Sequence, residues 1–328
     1  MQLTPETGVE WLAQHGMPAV AGTLIELGGG VSNRVILAPL PRGSVVLKQS
    51  LAKLQVEREW LSDITRIFRE AAAMRWLEGK VRGGHVPRLL AEDPANYIIA
   101  MESAPAGAEM WKTRLFHGEF DRSAARSAGT LLGSIIAATR NNSEVEQLFG
   151  DQTVFDQLRI DPYYRFTAAR HPEVADYFYR LIATSAARRV SLVHGDWSPK
   201  NLLVSTAVAG DSEIWAIDWE VVHYGDPSYD VAFLFNHLLL KTIAMPHHRE
   251  ALADLASTFC ESLNAACAED AGWLESAALE HLPALLLARV DGKSTAEYLD
   301  AEMRAVAWKL GLDLISRPPH TVLEAFSR

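Results

Sequence analysis

The segment LVHGDWSPKNLLV, residues 192–204, places His194, Asp196 and Asn201 between two apolar runs. Each of these residues alone is typical of a turn. The four residues between Asp196 and Asn201 include Pro199 and let the loop turn so that both side chains face one bound phosphate. An aspartate placed there can accept the proton of an attacking hydroxyl, and an asparagine can hold a metal ion. The spacing therefore predicts phosphoryl transfer, with Asp196 as the catalytic base and Asn201 as a metal ligand.

A second acidic position follows in the segment WAIDWE. A predicted strand ends at Asp218, where a carboxylate can reach a Mg²⁺ ion that bridges phosphates. Glu220 stands two residues further and is a candidate second ligand for the metal or for the substrate. A lone aspartate at a strand end is usually a cap or turn former. The interpretation of Asp218 therefore depends on its combination with Asp196 and Asn201, whose spacing is that of a kinase catalytic loop.

Near the N-terminus, the segment LGGGVSNRVIL joins two predicted strands through glycines. Its candidate phosphate-binding residues are Gly28, Gly30, Ser32 and Asn33. Because glycine has no Cβ, backbone N–H groups there can approach a phosphate closely. A plain hairpin turn would also explain the glycines. The position between two strands favours the phosphate-covering loop of a kinase over a dinucleotide fold, in which such a loop joins a strand to a helix.

Lys48 interrupts the apolar strand SVVLKQS. One interpretation is an edge-strand lysine that points to water. The other is the strand lysine that pairs with the α- and β-phosphates, and such a lysine needs a helix glutamate to hold it. The candidates for that glutamate are Glu57, Glu59 and Glu70. Glu70 is preferred because it lies in the middle of an amphipathic segment.

Three further segments hold candidate residues. YIIAMESAPAG ends a predicted strand at a possible hinge, where backbone groups of Met101, Glu102 and Ala104 could face adenine; an ordinary strand exit is the alternative. HYGDPSYDVAFL begins a helix, with Asp226 and Pro227 as predicted cap and first-turn proline and with Asp230 expected to bind the catalytic-loop backbone. Near the end of a late helix, Arg289 could line a substrate pocket or belong to a solvated helix end.

The elements that must position these residues fall into two groups. Alternating apolar residues and turn signals predict a small antiparallel sheet over residues 20–102, with one long helix over 57–80. Beyond residue 105 the sequence is mainly helical, apart from strands near 192–204 and 214–218. We therefore predict an α+β fold of two lobes. The N-lobe, 1–104, would bind ATP, and the C-lobe, 105–328, would hold the catalytic loop, the metal site and a helical acceptor-binding region.

Bulk composition bears on the class of partner. The formal net charge of −10 argues against a surface for nucleic acid or anionic membrane, which needs clustered lysine and arginine. Apolar runs such as DVAFLFNHLLL fall short of the ~20 residues that a membrane span needs. Cys260 and Cys267 form neither a metal-ligand pattern nor a disulfide framework. We expect a cytoplasmic protein with a small-molecule partner, and the composition leaves the oligomeric state open.

Taken in order, these motifs are similar to those of a known family. HGDWSPKN, IDWE and GDPSYDVA resemble the aminoglycoside phosphotransferase/choline kinase family, the small-molecule branch of the protein-kinase-like fold. The resemblance implies ATP and Mg²⁺ as cofactors, Asp196 as catalytic base, Asn201 and Asp218 as Mg²⁺ ligands, and Lys48 as a contact of the ATP phosphates. In the N-lobe, GGGVSN and VVLKQS look most like the methylthioribose kinase subgroup. The C-lobe departs from that subgroup, because Trp-Ser-Pro-Lys-Asn stands where His-Thr-Gly-Ser is typical.

The leading hypothesis is an ATP- and Mg²⁺-dependent phosphotransferase that acts on a hydroxyl of a small polar molecule. Aminoglycosides, sugars and amino alcohols are candidate acceptors. The alternatives are a sugar kinase similar to methylthioribose kinase and a nucleotide-binding pseudokinase without transfer activity. A protein kinase is disfavoured, because there is no Ala-Pro-Glu segment and no room for a long activation loop between Asp218 and Asp226.

Overall fold

The computed structural model describes residues 1–19, 22–28, 33–51, 62–206, 211–267 and 271–328. Its N-terminal elements are helix α1 (Pro5–Gln14), strands β1 (Ile25–Leu27), β2 (Asn33–Pro39) and β3 (Ser44–Ser50), helix α2 (Arg66–Leu77), and strands β4 (Leu89–Asp93) and β5 (Ile98–Glu102). The strands form a five-stranded antiparallel sheet in the order β1-β2-β3-β5-β4. Helices α1 and α2 cover its two faces.

Successive side chains of β3 point to opposite faces of the sheet and pack in two different hydrophobic cores. Leu47 packs in a cluster with Trp11 and Leu12 of α1. Val46 packs against the other core, which includes the apolar face of α2. Successive side chains of a strand point to opposite faces, so Lys48 lies on the same face as Val46. Because β3 is a central strand and Lys48 is buried, the interpretation of Lys48 as an edge lysine in water is wrong.

Helix α2 is shorter than the sequence pattern predicts. The predicted helix covered 57–80, but residues 62–65 are not helical and α2 begins at Arg66. The Asp63 carboxylate accepts hydrogen bonds from the amide and the hydroxyl of Thr65, both at 2.8 Å. Such a local turn competes with helical hydrogen bonding and delays the start of the helix. Glu57 and Glu59, the other candidate partners of Lys48, lie outside the described residues.

The C-terminal part is mainly helical, as predicted. Its first half contains strand β6 (Glu109–Met110), helices α3 (Trp111–Phe116), α4 (Arg122–Thr139), α5 (Ser143–Phe149) and α6 (Thr153–Phe155), a π-helix (Asp156–Arg165), α7 (Phe166–Arg170), a 3-10 turn (Pro172–Val174) and α8 (Ala175–Ala187). Its second half contains strands β7 (Ser191–Val193), β8 (Leu202–Thr206), β9 (Ser212–Ala216) and β10 (His223–Gly225), α9 (Ser228–Ala244), a 3-10 turn (Pro246–His248), α10 (Arg249–Ala266), α11 (Gly272–Asp291), α12 (Ala301–Ser316) and α13 (Val322–Ser327).

Two small antiparallel sheets hold the candidate catalytic segment inside this helical part. Strand β7 pairs with β10, and β8 pairs with both β6 and β9. The segment between β7 and β8 is therefore anchored at each end by a strand. The bilobal α+β fold class is confirmed, whereas the division at residue 104 stays a prediction.

Helix α9 begins one residue later than predicted. Pro227 is its N-cap rather than its first helical residue. The predicted cap contact of Asp226 is nevertheless present, since its carboxylate accepts the amide of Ser228 at 3.1 Å and the hydroxyl of the same residue at 2.6 Å. Across the described ranges, we find no helix that combines the length and the apolar character needed to cross a bilayer.

Candidate active site

The turn that leads from β7 to Asp196 is fixed by Asp230, in the first turn of α9. Its carboxylate accepts hydrogen bonds from the amides of His194 (2.7 Å) and Gly195 (2.8 Å). Gly195 has a φ of 79°, and a Cβ there would lie 2.8 Å from a methyl group of Val221. Glycine is therefore required on both counts. The prediction that Asp230 binds the loop backbone is confirmed, and burial raises the pKa of Asp230 to about 7.

His194 connects the two acidic positions of the site. Its Nδ1 accepts the amide of Asp196 at 3.2 Å, and its Nε2 lies 3.0 Å from the carbonyl of Ile217. Because Nδ1 accepts a hydrogen bond, the proton is on Nε2, which donates to that carbonyl. Burial lowers the pKa of His194 to about 4. His194 is thus a neutral side chain that positions the Asp196 backbone relative to the residue preceding Asp218.

Asp196 pairs with an arginine that no sequence motif indicates. Arg159, on the π-helix, places Nη2 2.8 Å from Asp196 Oδ2 and donates from Nε to the Gly195 carbonyl at 2.7 Å. Burial raises the pKa of Asp196 above its ordinary value, and the Arg159 guanidinium opposes that rise. The available sequence signal was a charged residue between Leu158 and Ile160, inside a partly apolar segment.

Lys48 contacts carboxylates from both lobes. Its Nζ lies 2.6 Å from Glu70 Oε2 on α2, and it also donates to Asp218 Oδ1 beyond β9. The predicted pairing with Glu70 is therefore present. Burial lowers the pKa of Lys48, but the two carboxylates outweigh it and hold that pKa above its ordinary value. Burial raises the pKa of Asp218, yet the Lys48 ammonium is stronger and brings it down to about 2.

The β8–β9 hairpin brings Asn201 and Asp218 to the same end of the small sheet. The Ile217 amide donates to the Asn201 carbonyl at 3.0 Å. Asn201 Nδ2 donates to the Asp196 carbonyl at 3.1 Å, so its Oδ1 is the atom that could bind a cation. Asp218 has a φ of 67°. This left-handed conformation is uncommon outside glycine and is often found at functional sites.

The oxygen donors at this end of the hairpin fit a magnesium ion. Mg²⁺ prefers oxygen ligands, and it usually binds through one or two protein carboxylates together with water and substrate phosphates. Asp218 supplies a carboxylate with a lowered pKa, and Asn201 supplies an amide oxygen. The pair could therefore hold Mg²⁺ when a nucleotide provides the remaining ligands.

Glu220 connects this region to the N-lobe. Its Oε2 accepts Arg66 Nε, on α2, at 2.9 Å and Asn33 Nδ2, on β2, at 2.8 Å. All three side chains are buried. One oxygen of Glu220 is therefore committed to contacts within the protein, and its role as a metal or substrate ligand stays a prediction.

Trp219 completes the connection between the lobes. Its amide lies 3.3 Å from Glu70 Oε1, to which it donates, and its indole N–H donates to the Ala216 carbonyl at 2.9 Å. Asp218, Trp219 and Glu220 thus each contact a side chain of the N-lobe. We call these three residues the inter-lobe segment.

The predicted phosphate-covering loop lies only partly within the described residues. Gly28 follows β1 and Asn33 begins β2, whereas Gly30 and Ser32 lie outside the described part of the chain. Asn33 is buried, and its Oδ1 accepts the Ser50 hydroxyl at 3.3 Å. Contacts of this loop with a nucleotide stay a prediction.

Strand β5 carries the hinge candidates to the boundary between the lobes. Met101 is buried in the larger core. The Glu102 amide donates to the Arg88 carbonyl at 2.9 Å, so this N–H, contrary to the sequence expectation, is not free for adenine. Within the described ranges, the Ala104 amide has no hydrogen-bond partner. The Ala104 N–H is therefore the better candidate for a contact with the base.

Arg289 is buried, so its interpretation as part of a solvated helix end is wrong. It lies near the end of α11, and its Nη1 donates to the hydroxyl of Ser294 at 2.9 Å and to the carbonyl of the same residue. A position in a substrate pocket stays a prediction at this point.

Solved structures share the fold of this chain. Amicoumacin kinase hAmiN, in complex with AMP-PNP, Ca²⁺ and Ami, is 16% identical with a TM-score of 0.65, over 95% of this chain and 94% of that chain. Macrolide 2′-phosphotransferase MphH from Brachybacterium faecium is 17% identical with a TM-score of 0.55, over 96% and 99%. An ethanolamine kinase from Plasmodium vivax is 11% identical with a TM-score of 0.56, over 90% and 83%. At these identities, the likeness shows the fold alone.

The sequence itself matches a family profile, although no curated protein matches it significantly. The profile is that of the phosphotransferase enzyme family, APH, and it covers residues 23–259. This range runs from the first strand of the sheet into α10 and includes Lys48, Asp196, Asn201 and Asp218. The particular likeness of the N-lobe to methylthioribose kinase stays a prediction. Because the profile covers residues 23–259 of the 328, the chain belongs to the phosphotransferase enzyme family.

Proposed function

We propose that this protein is an ATP- and Mg²⁺-dependent kinase that phosphorylates a hydroxyl of a small polar molecule. One observation carries the proposal: Lys48 from the sheet contacts Glu70 from α2 and Asp218 from the helical lobe. His194 contacts both the amide of Asp196 and the carbonyl of Ile217, the residue before Asp218, so the candidate base lies close to this group. Such an arrangement suits a phosphate chain held between the lobes, next to the attacking group.

In this proposal the N-lobe, 1–104, holds the nucleotide. Lys48, positioned by Glu70, pairs with the α- and β-phosphates. The loop from Gly28 to Asn33 covers the phosphates, and the end of β5, residues 101–104, faces adenine. Asn201 and Asp218 hold Mg²⁺, which when bound neutralises charge on the phosphates.

The C-lobe, 105–328, supplies the acceptor site and the proton acceptor. The acceptor oxygen forms a bond to the γ-phosphorus while the bond from that phosphorus to ADP breaks. Asp196 takes the proton of the acceptor hydroxyl. Arg159 occupies Asp196 Oδ2, so Oδ1 is the oxygen that would receive the proton. Most of the rate enhancement comes from positioning and electrostatics rather than from covalent chemistry by the protein.

The acceptor class is open among sugars, including methylthioribose, amino alcohols and aminoglycosides. A pseudokinase, which binds nucleotide without transfer, is the second hypothesis. Nucleotide binding without ADP release across a broad panel of these acceptors would favour it. The expected cytoplasmic location also stays a prediction.

The proposal is tested by Asp196→Ala. We expect ADP release with the acceptor to fall by ~10²–10⁴-fold, since a positioned base contributes about that much, while ATP binding measured by calorimetry stays close to wild type. Asp161→Ala, which removes a partly exposed carboxylate paired with Lys293, is the matched control and should keep full activity. If Asp196→Ala retained more than about a tenth of wild-type turnover, Asp196 would not be the base.

A further inference from the structure

One face of α9 carries four side chains at four-residue spacing: Tyr229, Phe233, His237 and Lys241. Residues four apart lie above one another on a helix. The rings follow each other along this face, with centroids 5.6 Å apart for Tyr229 and Phe233 and 5.1 Å apart for Phe233 and His237. The face therefore forms a continuous wall that ends at Lys241.

This wall begins beside the candidate base. The guanidinium of Arg159, which pairs with Asp196, lies 5.8 Å from the centroid of the Phe233 ring. Lys241 follows Phe233 by eight residues, and eight residues of α-helix rise by ~12 Å. The candidate base and Lys241 are therefore separated by a distance on the order of 10 Å along this face.

Lys241 is completely buried but has little compensation for its charge. Its Nζ donates to the carbonyl of His237 at 3.3 Å and lies 5.2 Å and 5.5 Å from the ring centroids of Phe116 and Tyr298. Within the described ranges, no carboxylate lies within 4.0 Å of it. Burial, together with the nearby Lys112 and Arg289, lowers the pKa of Lys241 to about 7, although Glu297 opposes this. An uncompensated buried ammonium destabilises the fold, so a structural role alone does not account for it.

Two more polar atoms around Lys241 lack partners. Arg289 Nε and the Tyr298 hydroxyl are buried and make no hydrogen bond to any described residue. Arg289 Nη1 donates hydrogen bonds to the carbonyl and the hydroxyl of Ser294, but Nε takes no part in these contacts. Lys112, whose Nζ lies 5.8 Å from the Tyr298 ring centroid, adds a further positive charge, although the largely exposed Glu297 pairs with it.

We propose that Lys241, Arg289 and the Tyr298 hydroxyl bind an oxyanion of the acceptor, a carboxylate, sulfate or phosphate group that lies about two helical turns, ~10 Å, from the hydroxyl to be phosphorylated. The proposal rests on the proposed function in that the hydroxyl is placed at Asp196. Lys241 and Arg289 offer charged donors, which bind anions better than neutral donors do, and the Tyr298 hydroxyl adds a neutral donor. Polycations such as aminoglycosides are disfavoured, because the ammonium groups of Lys112 and Lys241 lie 5.8 Å and 5.5 Å from the Tyr298 ring centroid.

The test measures the Tm of thermal unfolding, with MgADP at saturation so that the nucleotide site is occupied. The probe is sodium sulfate, and the control is sodium chloride at equal ionic strength. Sulfate should raise the wild-type Tm saturably, by about 2–4 °C. The rise should be lost in Lys241→Met and reduced in Tyr298→Phe, which removes only a hydroxyl that has no partner and should fold normally. Lys293→Met, which removes a lysine paired with Asp161, should keep it.

Two further readouts complete the experiment. Without sulfate, Lys241→Met should unfold at the wild-type temperature or above it, because it removes an uncompensated charge; a clear fall would make Lys241 structural. Absence of a sulfate effect on wild type, or an undiminished effect in both Lys241→Met and Tyr298→Phe, would overturn the anion site. A rise in Tm with kanamycin, which is a polycation, would overturn the assignment of this anion site to the acceptor. Because no turnover is measured, these outcomes are independent of Asp196→Ala, whose result tests the proposed function.

Discussion

The acidity of the candidate base depends on one neighbouring residue. Burial raises the pKa of Asp196, and the carboxylate of Asp218 raises it further. Arg159 is the largest influence in the other direction, through a 2.8 Å contact with Oδ2. Arg159 therefore favours the ionised form that a base needs to accept a proton, although it need not touch the acceptor. Arg159 is a positioning residue in this sense.

Replacing Arg159 should change the pH dependence of the reaction. In Arg159→Met the pKa of Asp196 should rise, so the acidic limb of the kcat profile should move to higher pH, by about 1 unit or more. Arg159→Lys, which keeps the positive charge, should move it less. Arg165→Met is the control on the same π-helix, since Arg165 pairs with the partly exposed Asp156. An unchanged limb in Arg159→Met, with only a lower kcat, would mean that Arg159 merely supports the loop.

Sequence patterns identify the local part of this site and miss the distant part. Asp196 and Asn201 share one loop, and Asp218 ends the strand after it, so their spacing carries the information. Arg159 reaches Asp196 from a π-helix, and neither the π-helical turn nor its packing against the loop has a periodicity that can be read from residue types. The role of His194 depends on which groups its two ring nitrogens meet, which also requires the three-dimensional structure.

At the scale of elements, side chains just before the helices explain the errors in boundaries. Asp63 binds Thr65 before α2, where its side chain offers a backbone amide an alternative to helix formation. Asp226 instead accepts the Ser228 amide, as an N-cap side chain does, and fixes the start of α9. The main helices and the strands of the five-stranded sheet were predictable because apolar periodicity is a long-range pattern. The short strands β6 and β10 were not predicted, and the ends of elements are determined by single hydrogen bonds.

The contact between α2 and the inter-lobe segment is also an element-scale feature, and it can be tested through Glu220. Glu220→Gln keeps the shape but removes the charge that faces the buried Arg66. We expect the free energy of unfolding to fall by about 3 kcal/mol, because the buried Arg66 loses the charge it faces. The KM for ATP should rise, because the hydrogen bond from Asn33 then goes to a neutral oxygen and is weaker. Chemical denaturation and steady-state kinetics measure the two effects.

Glu213→Gln is the matched control for this change. Glu213 contacts His85 at 3.0 Å at a position where both side chains are more than a third exposed, so its loss should alter stability by less than about 1 kcal/mol. Equal losses of stability in Glu213→Gln and Glu220→Gln would contradict the importance of the Glu220 contact.

At the scale of the whole molecule, buried neutral histidines should make the fold sensitive to acid. Burial lowers the pKa of His194 to about 4 and that of His223 to about 3, from an ordinary 6.5. The unfolded chain binds these protons below pH ~6.5, whereas the folded chain does not. The stability that they contribute is therefore complete above that pH and decreases as the pH falls through it, by up to about 1.4 kcal/mol per pH unit for each histidine.

Urea denaturation at pH 7.5 and 5.5 would measure this dependence. His223→Asn should reduce the difference in free energy of unfolding between the two pH values, and the exposed His117→Gln should leave it unchanged. A difference that is the same in wild type and in His223→Asn would show that other groups are responsible.

The inter-lobe segment has a mechanical consequence. Asp218, Trp219 and Glu220 are consecutive, and each is held by a different partner in the small lobe. If the sheet tilts away from the helices to admit a nucleotide, either all three attachments break together or the segment moves with the sheet and Asp218 leaves its place beside Asn201. In the second case, opening of the cleft and disassembly of the candidate magnesium site would be the same event, and Asp218 and Asn201 could not support hydrolysis of ATP by water while the cleft is open.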